Sequence, residues 1–216
     1  GEQTSVALMA MAMDSLGVPA VSMNAFQVQM HTTEVYGNAR LKRIDTERIR
    51  NELDNRRIVV ITGFQGINKF DDYTTLGRGG SDTTAVALAA ALHADACEIY
   101  TDVDGIMTAD PRIEPDAKVL KYVDYDEVFQ MAEKGAKVIH PRAVELAKNA
   151  DIILQIKNTY NPNYEGTKIG PANVLKDVYE DSSKVKFMSA VAHKDKIAQV
   201  KVIATEDIFS LSLIHI

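Results

Sequence analysis

The sequence predicts an α/β fold of three layers, α/β/α, around a mainly parallel sheet, and three observations predict it. Short β-branched or apolar runs alternate with segments of helical periodicity between Val6 and Ile156, the pattern of a parallel sheet covered on both faces. Hydrophobic residues make up 46% and charged residues 25% of 216, which is enough apolar material for a real core. Glycine-rich segments follow the expected strands. In open α/β sheets, ligands sit at those carboxyl ends.

The elements follow in order. Val6, Met9, Ala10, Met13 and Leu16 recur at helical spacing and Gly17 stops the helix, so this Met-rich stripe is expected to face the core. Residues 20–26 read as a strand. Asp45 is placed to cap a charged helix ending near Asn55. Residues 58–62 are a buried β-branched strand. A loop over 63–80 comes next, and Ser81 is placed to cap an Ala-rich helix to about His93. Residues 98–102 form a strand, followed by an Asp104-Gly105 turn. Asp124, with Glu127 three residues on, reads as a capping box for a helix that Gly135 ends. Pro141 suits the first turn of a helix ending near Asn149. Residues 152–156 are a strand, and 161–171, rich in Asn, Pro and Gly, are a linker or hairpin. Two alternating runs, 186–192 and 198–204, read as strands of another unit.

Composition excludes several functions. Lys and Arg number 24 against 30 Asp and Glu, a net charge of -6. That argues against a general nucleic-acid surface, and it means an anionic substrate must be met by local positive charge. No apolar run reaches the ~20 residues of a membrane span. One cysteine, Cys97, forms no internal disulfide and fits a reducing cytoplasm. Its apolar surroundings predict a buried structural thiol. His31, His93 and His193 have no metal-ligand spacing.

The chemistry concentrates in Thr74-Thr75-Leu76-Gly77-Arg78-Gly79-Gly80-Ser81-Asp82-Thr83-Thr84-Ala85. Glycine lets backbone approach a ligand, a helix N-terminus favours anions, and the Arg78 fork matches a carboxylate or phosphate at two points. A glycine turn with a surface arginine is the plain alternative. Arg78, Ser81 and Asp82 together favour an anion-and-amine site. His140, just before Pro141, is expected to be a helix cap or packed imidazole and not a catalyst.

This stretch resembles the signature of aspartate kinases, within the amino-acid kinase superfamily. The likeness continues through Tyr100-Thr101-Asp102-Val103-Asp104-Gly105-Ile106, Thr108-Ala109-Asp110-Pro111-Arg112 and Gly135-Ala136-Lys137-Val138-Ile139-His140-Pro141-Arg142. It covers roughly residues 1–170 and implies an amino-acid kinase-like fold. It also implies ATP-dependent phosphorylation of the side-chain carboxylate of L-aspartate, with Mg²⁺ arriving on the nucleotide. By resemblance, Arg78 and Ser81 bind the amino acid, with Phe64 and Asp82 beside them, and Glu2 contacts its ammonium. Taken alone, Glu2 is a first-turn acid that favours the helix dipole. The nucleotide side resembles Thr101, Asp102, Met107, Arg112, Lys137 and Val138. Met107 stands where the family frequently has an aromatic.

The resemblance further implies three segments: 1–172 as the later part of a kinase domain, 173–184 as a linker, and 185–216 as the start of a regulatory domain of the ACT type. No Lys-Phe-Gly-Gly run occurs, although the family's carries the lysine that neutralises the transferred phosphoryl group. The chain is therefore expected to be truncated and inactive alone. A homo-oligomer (dimer), an allosteric amino-acid effector and a cytoplasmic location are also implied. Alternatives are a kinase for glutamate or N-acetylglutamate, or a non-catalytic amino-acid-sensing subunit.

Overall fold

The structure, a computed structural model, describes residues 1–135, 138–171 and 190–193. Helix α1 (Glu2–Ser15) ends before Gly17, whose φ of 76° only glycine adopts freely. Strands β1 (Ala20–Met23) and β4 (Ile58–Ile61) pair in parallel beneath α1. Between them lie β2 (His31–Thr32), β3 (Leu41–Arg43) and helix α2 (Glu47–Asp54). Strands β5 (Gln65–Ile67) and β6 (Tyr73–Thr75) complete a mixed sheet in the order β3-β2-β5-β6. Helix α3 (Gly80–Leu92) leads to β7 (Ala96–Thr101). After β8 (Tyr122–Asp124), helices α4 (Tyr125–Glu133) and α5 (Pro141–Asn149), β9 (Ile153–Asn158) and β10 (Thr167–Gly170), a second sheet runs β7-β9-β10-β8. Its pairs are parallel except the β9–β10 hairpin.

Two apolar cores hold these layers. One unites Ile99, Val123, Leu154, Ile156 and Ile169 of the second sheet with Val86, Val128 and Val144 of α3, α4 and α5. The other gathers Met23, Ala25, Val28, Met30 and Ile49. Helix α3 serves both: Val86 and Ala89 belong to the first, while Leu88 and Leu92 pack on the second. A helix apolar around its circumference is one that is covered on more than one side.

The α/β class stands, with several local corrections. The α1 stripe is mostly not core. Ala10 is buried, but Met9 is 52% and Leu16 81% exposed, because among the described elements only β1 and β4 pack closely on α1. The first strand stops at Met23, where the Asn24 and Gln27 side chains cap each other's backbone N–H groups in a turn. β4 is only partly buried, and Ile58 is exposed. The expected 63–80 loop contains the antiparallel β5–β6 hairpin.

The caps divide. Ser81 does not cap α3; its N-cap is Gly79, in the left-handed region at φ 71°. Asp124 does build the capping box, accepting from Asp126 N–H while Glu127 accepts from the Asp124 N–H. His140 caps α5 through Nδ1, which accepts from Arg142 N–H. Thr46 is the N-cap of α2, with Asp45 Oδ1 accepting from Glu47 N–H at 2.9 Å. The 161–171 segment holds the turn that joins β9 to the hairpin limb β10. The expected strands at 186–192 and 198–204 lie outside the described residues, apart from Ala190, Val191 and Ala192.

Candidate active site

The site is built where β4, β6 and α1 end or begin. Thr62 leaves β4 and Gly63 brings backbone against the start of α3: a Cβ there would lie 3.6 Å from Ser81 Cα. Phe64 follows at φ 69°, a left-handed conformation that is strained for an aromatic residue. Two hydrogen bonds hold it: its N–H donates to Thr84 Oγ1 at 3.1 Å, and its carbonyl accepts from Leu76 N–H at 3.0 Å. The Phe64 ring then lies over Gly80, where a Cβ would come within 2.7 Å of it. Glycine at 80 is thus what lets the aromatic reach the mouth of α3.

The turn itself is positive in φ at Gly77 and Gly79. Arg78, between them, is exposed and pairs with no described residue. The N–H groups of Ser81 and Asp82 also donate to no described residue: at this helix end Gly80 N–H donates to the Gly77 carbonyl and the next bond is from Thr83 N–H to the Gly79 carbonyl. A free fork and two free donors at a helix N-terminus form a local positive site on an acidic chain. Beside them opens a cleft of about 410 Å³, lined by Gly1, Glu2, Ser5, Val6, Gly63, Phe64 and Ser81. Glu2, Phe64 and Ser81 thus share one cavity.

Asp82 is half-buried. Its Oδ2 accepts from His140 N–H at 3.3 Å, and burial raises its carboxyl above the ordinary value against that hydrogen bond. It therefore binds α5 to α3 and does not orient Arg78. His140 packs its ring over Gly79, so it is the packed cap that sequence suggests.

The second group of residues lies at the end of β7. Thr101 Oγ1 donates to Asp102 Oδ1 at 3.2 Å, and Asp102 is exposed. Met107 bridges Val119 and is partly buried. Arg112 is exposed but grips Asp110 with two nitrogens, holding that carboxyl well below the usual carboxylate range. Val138 packs on the first core, and Lys137 lies outside the described residues. Among the described residues no group of three or more His, Cys, Asp or Glu side chains could hold a metal ion, and no helix is long and apolar enough to cross a membrane.

Sequence reasoning missed Ser5 and Val6, which α1 brings to the cleft, and Asn38, whose Oδ1 accepts from Arg142 Nη1 at 3.1 Å beside Gly77. Ser5 and Val6 stand three and four positions after Glu2, the spacing that shares one helix face, and this was a usable signal for the former. Nothing in the sequence points to Asn38.

A glycine turn with an exposed arginine leads into a helix N-terminus whose Ser81 lines one cleft with Glu2 and Phe64, a candidate small-molecule site on an α/β frame. Residues 1–158 match the model of the amino acid kinase family, and the chain belongs to that family. It is 45% identical over 206 residues to an aspartokinase of Geobacillus stearothermophilus, covering 95% of this chain and 49% of the relative. It is also 45% identical to an aspartokinase of Corynebacterium glutamicum, covering 96% and 48% respectively. Among solved structures, E. coli aspartokinase III in complex with aspartate and ADP superposes with a TM-score of 0.74 at 34% identity. That match covers 79% of this chain and 39% of the other. The chain spans about half the length of the curated relatives it matches.

Proposed function

We propose that the protein carrying this chain transfers the γ-phosphoryl group of ATP to the side-chain carboxylate of L-aspartate. A carboxylate oxygen bonds to phosphorus, the bond from phosphorus to the ADP oxygen breaks, and 4-phospho-L-aspartate and ADP leave. The observation that carries this reading is Arg78, without a partner among the described residues, three positions before Ser81, which lines one cleft with Glu2 and Phe64. Its support from relatives is the aspartokinase named above, solved with aspartate and ADP.

In this scheme Arg78 takes one substrate carboxylate at two points, and the α3 N-terminus adds donors. Glu2 meets the ammonium, and Phe64 and Ser81 wall the substrate. Asp82, tied to His140, keeps the turn against α5. A carboxylate and a polyphosphate repel, so the chain's contribution is to align them and neutralise charge. Thr101, Asp102, Met107, Arg112, Lys137 and Val138 receive the nucleotide. Thr101 and Asp102, at the end of β7, suit hydroxyl or base contacts. Arg112 must give up part of its Asp110 pairing to touch phosphate. Mg²⁺ accompanies the nucleotide and offsets charge on its phosphates.

The reading extends to the first step of the pathway from aspartate to lysine, threonine, methionine and diaminopimelate. It includes a cytoplasmic homodimer and control by an amino-acid effector. A related E. coli aspartokinase III was solved with lysine and aspartate. The test is a hydroxamate assay on the full-length protein with aspartate, glutamate and N-acetylglutamate offered separately. Aspartate turnover is expected. Turnover of another acceptor without aspartate, or none with any, overturns the proposal.

A further inference from the structure

We infer that Asn38 and Arg142 clamp the glycine turn and so aim Arg78; the inference rests on the proposed site and adds two positioning residues to it. Arg142 is the second residue of α5. A cation near a helix N-terminus opposes the helix dipole, so this placement calls for a partner. The partner is Asn38, 104 positions away in the chain, whose Oδ1 accepts from Arg142 Nη1 at 3.1 Å. The same oxygen would lie 2.8 Å from a Cβ on Gly77, so it presses against the turn itself.

The loop carrying Asn38 is firmly attached to β6, the strand that feeds the turn. Ala39 N–H donates to the Thr75 carbonyl at 2.8 Å and Thr75 N–H donates to the Tyr36 carbonyl at 2.7 Å. Arg40 N–H donates to Thr33 Oγ1 and Thr33 N–H to the Arg40 carbonyl, closing the loop on itself. On the far side of the turn, His140 fills the space over Gly79. The 140–142 segment therefore reaches both ends: Gly79 through the imidazole and Gly77 through Asn38.

Arg78 has no side-chain partner among the described residues, so only the backbone of Gly77 and Gly79 sets its direction. Glycine backbone is intrinsically free. Removing the clamp widens the range of directions Arg78 samples, and binding must then restore the order. That loss weakens binding of substrate and transition state alike, so KM for aspartate rises while kcat holds.

The experiment uses the full-length protein with Asn38→Ala, Arg142→Ala, the double variant and Asn38→Asp. Each single alanine variant is expected to raise KM for aspartate about three- to tenfold, the size of one exposed hydrogen bond. kcat and the ATP dissociation constant should change less than about twofold. The double variant should match either single, because both remove one contact. Asn38→Asp keeps an acceptor for Arg142 and should stay near wild type. Hydrogen exchange at Gly80 N–H, which donates to the Gly77 carbonyl at 3.1 Å, should quicken in both single variants.

A rise in KM for Arg142→Ala alone means that Arg142 touches substrate directly, and overturns the inference. Additive effects, or equal loss of ATP affinity, overturn it too. The exchange readout separates this inference from the proposed function. Faster exchange without any aspartate turnover by wild type sinks the site reading and leaves the clamp. Unchanged exchange sinks the clamp.

Discussion

The imidazole of His140 fills the volume that a side chain on Gly79 would occupy. Two constraints meet at one position, since Gly79 also lies at φ 71°. Gly79→Ala should therefore destabilise the full-length protein by about 2–4 kcal/mol, combining a left-handed penalty with overpacking. Denaturant midpoints at constant m-value measure this. A loss below about 1 kcal/mol would show that the ring moves aside freely.

Arg78→Ala should chiefly damage aspartate use. Loss of a charged hydrogen-bonding group costs about 1.5–3 kcal/mol or more, roughly ten- to several-hundred-fold in kcat/KM for aspartate. Arg78→Lys should rescue only in part, because an ammonium lacks the fork. Nucleotide affinity, titrated without aspartate, should hold. Abolished ATP binding with normal aspartate saturation would reassign this turn to the nucleotide.

Asp82→Asn should stabilise the fold at neutral pH. Burial raises the folded carboxyl above its ordinary 3.8, so folding favours the protonated form. Wild type then loses stability as pH climbs from that ordinary value through the raised one. Asparagine keeps an oxygen for His140 N–H and carries no charge. The two proteins should therefore match at acid pH and separate above it, with the variant more stable. A gap that narrows with rising pH contradicts this account.

Thr167 is a buried junction. Its Oγ1 accepts from Ile106 N–H at 2.9 Å and donates to the Leu120 carbonyl at 2.6 Å. Thr167→Val leaves both backbone groups buried without a partner and should cost about 2–4 kcal/mol. Thr167→Ser, which keeps the hydroxyl, should cost less than half as much. Thermal unfolding of the pair decides it, and equal losses would assign the effect to packing alone.

Cys97 is buried, and that burial pushes its thiol up to about 11. At pH 8 the native thiolate fraction is then on the order of one in a thousand. Alkylation of the folded protein should be far slower than in denaturant. Because unfolded thiols ionise first, this group also withdraws stability as pH rises from about 9 towards 11. Rapid native labelling at pH 8 would contradict the burial.

Long periodic elements were legible in the sequence: α3, α4, α5 and the β7 and β9 strands fall close to where pattern and caps place them. The Asp124 capping box and the His140 cap follow from local chemistry alone. The β5–β6 hairpin did not show, because Gln65-Gly66-Ile67 and Tyr73-Thr74-Thr75 are too short to display a period. β2 and β8 escaped for the same reason. The inward stripe expected of α1 failed because periodicity reports an apolar face without saying what covers it. At the site, Arg78 and Ser81 could be read from a contiguous motif. The left-handed Phe64 and the Asn38–Arg142 contact depend on backbone geometry and on residues far apart in sequence.

Helix α3 has no side that belongs to water alone, for its alanines, valine and leucines are divided between two cores. Neither core can open without stripping cover from the helix that the other needs. The described unit should therefore melt as one body, with no partly folded stage in which one core survives intact. Damage far out in the second sheet would then reach the glycine turn through loss of the whole helix, and would appear as lower protein abundance before it appeared as altered chemistry.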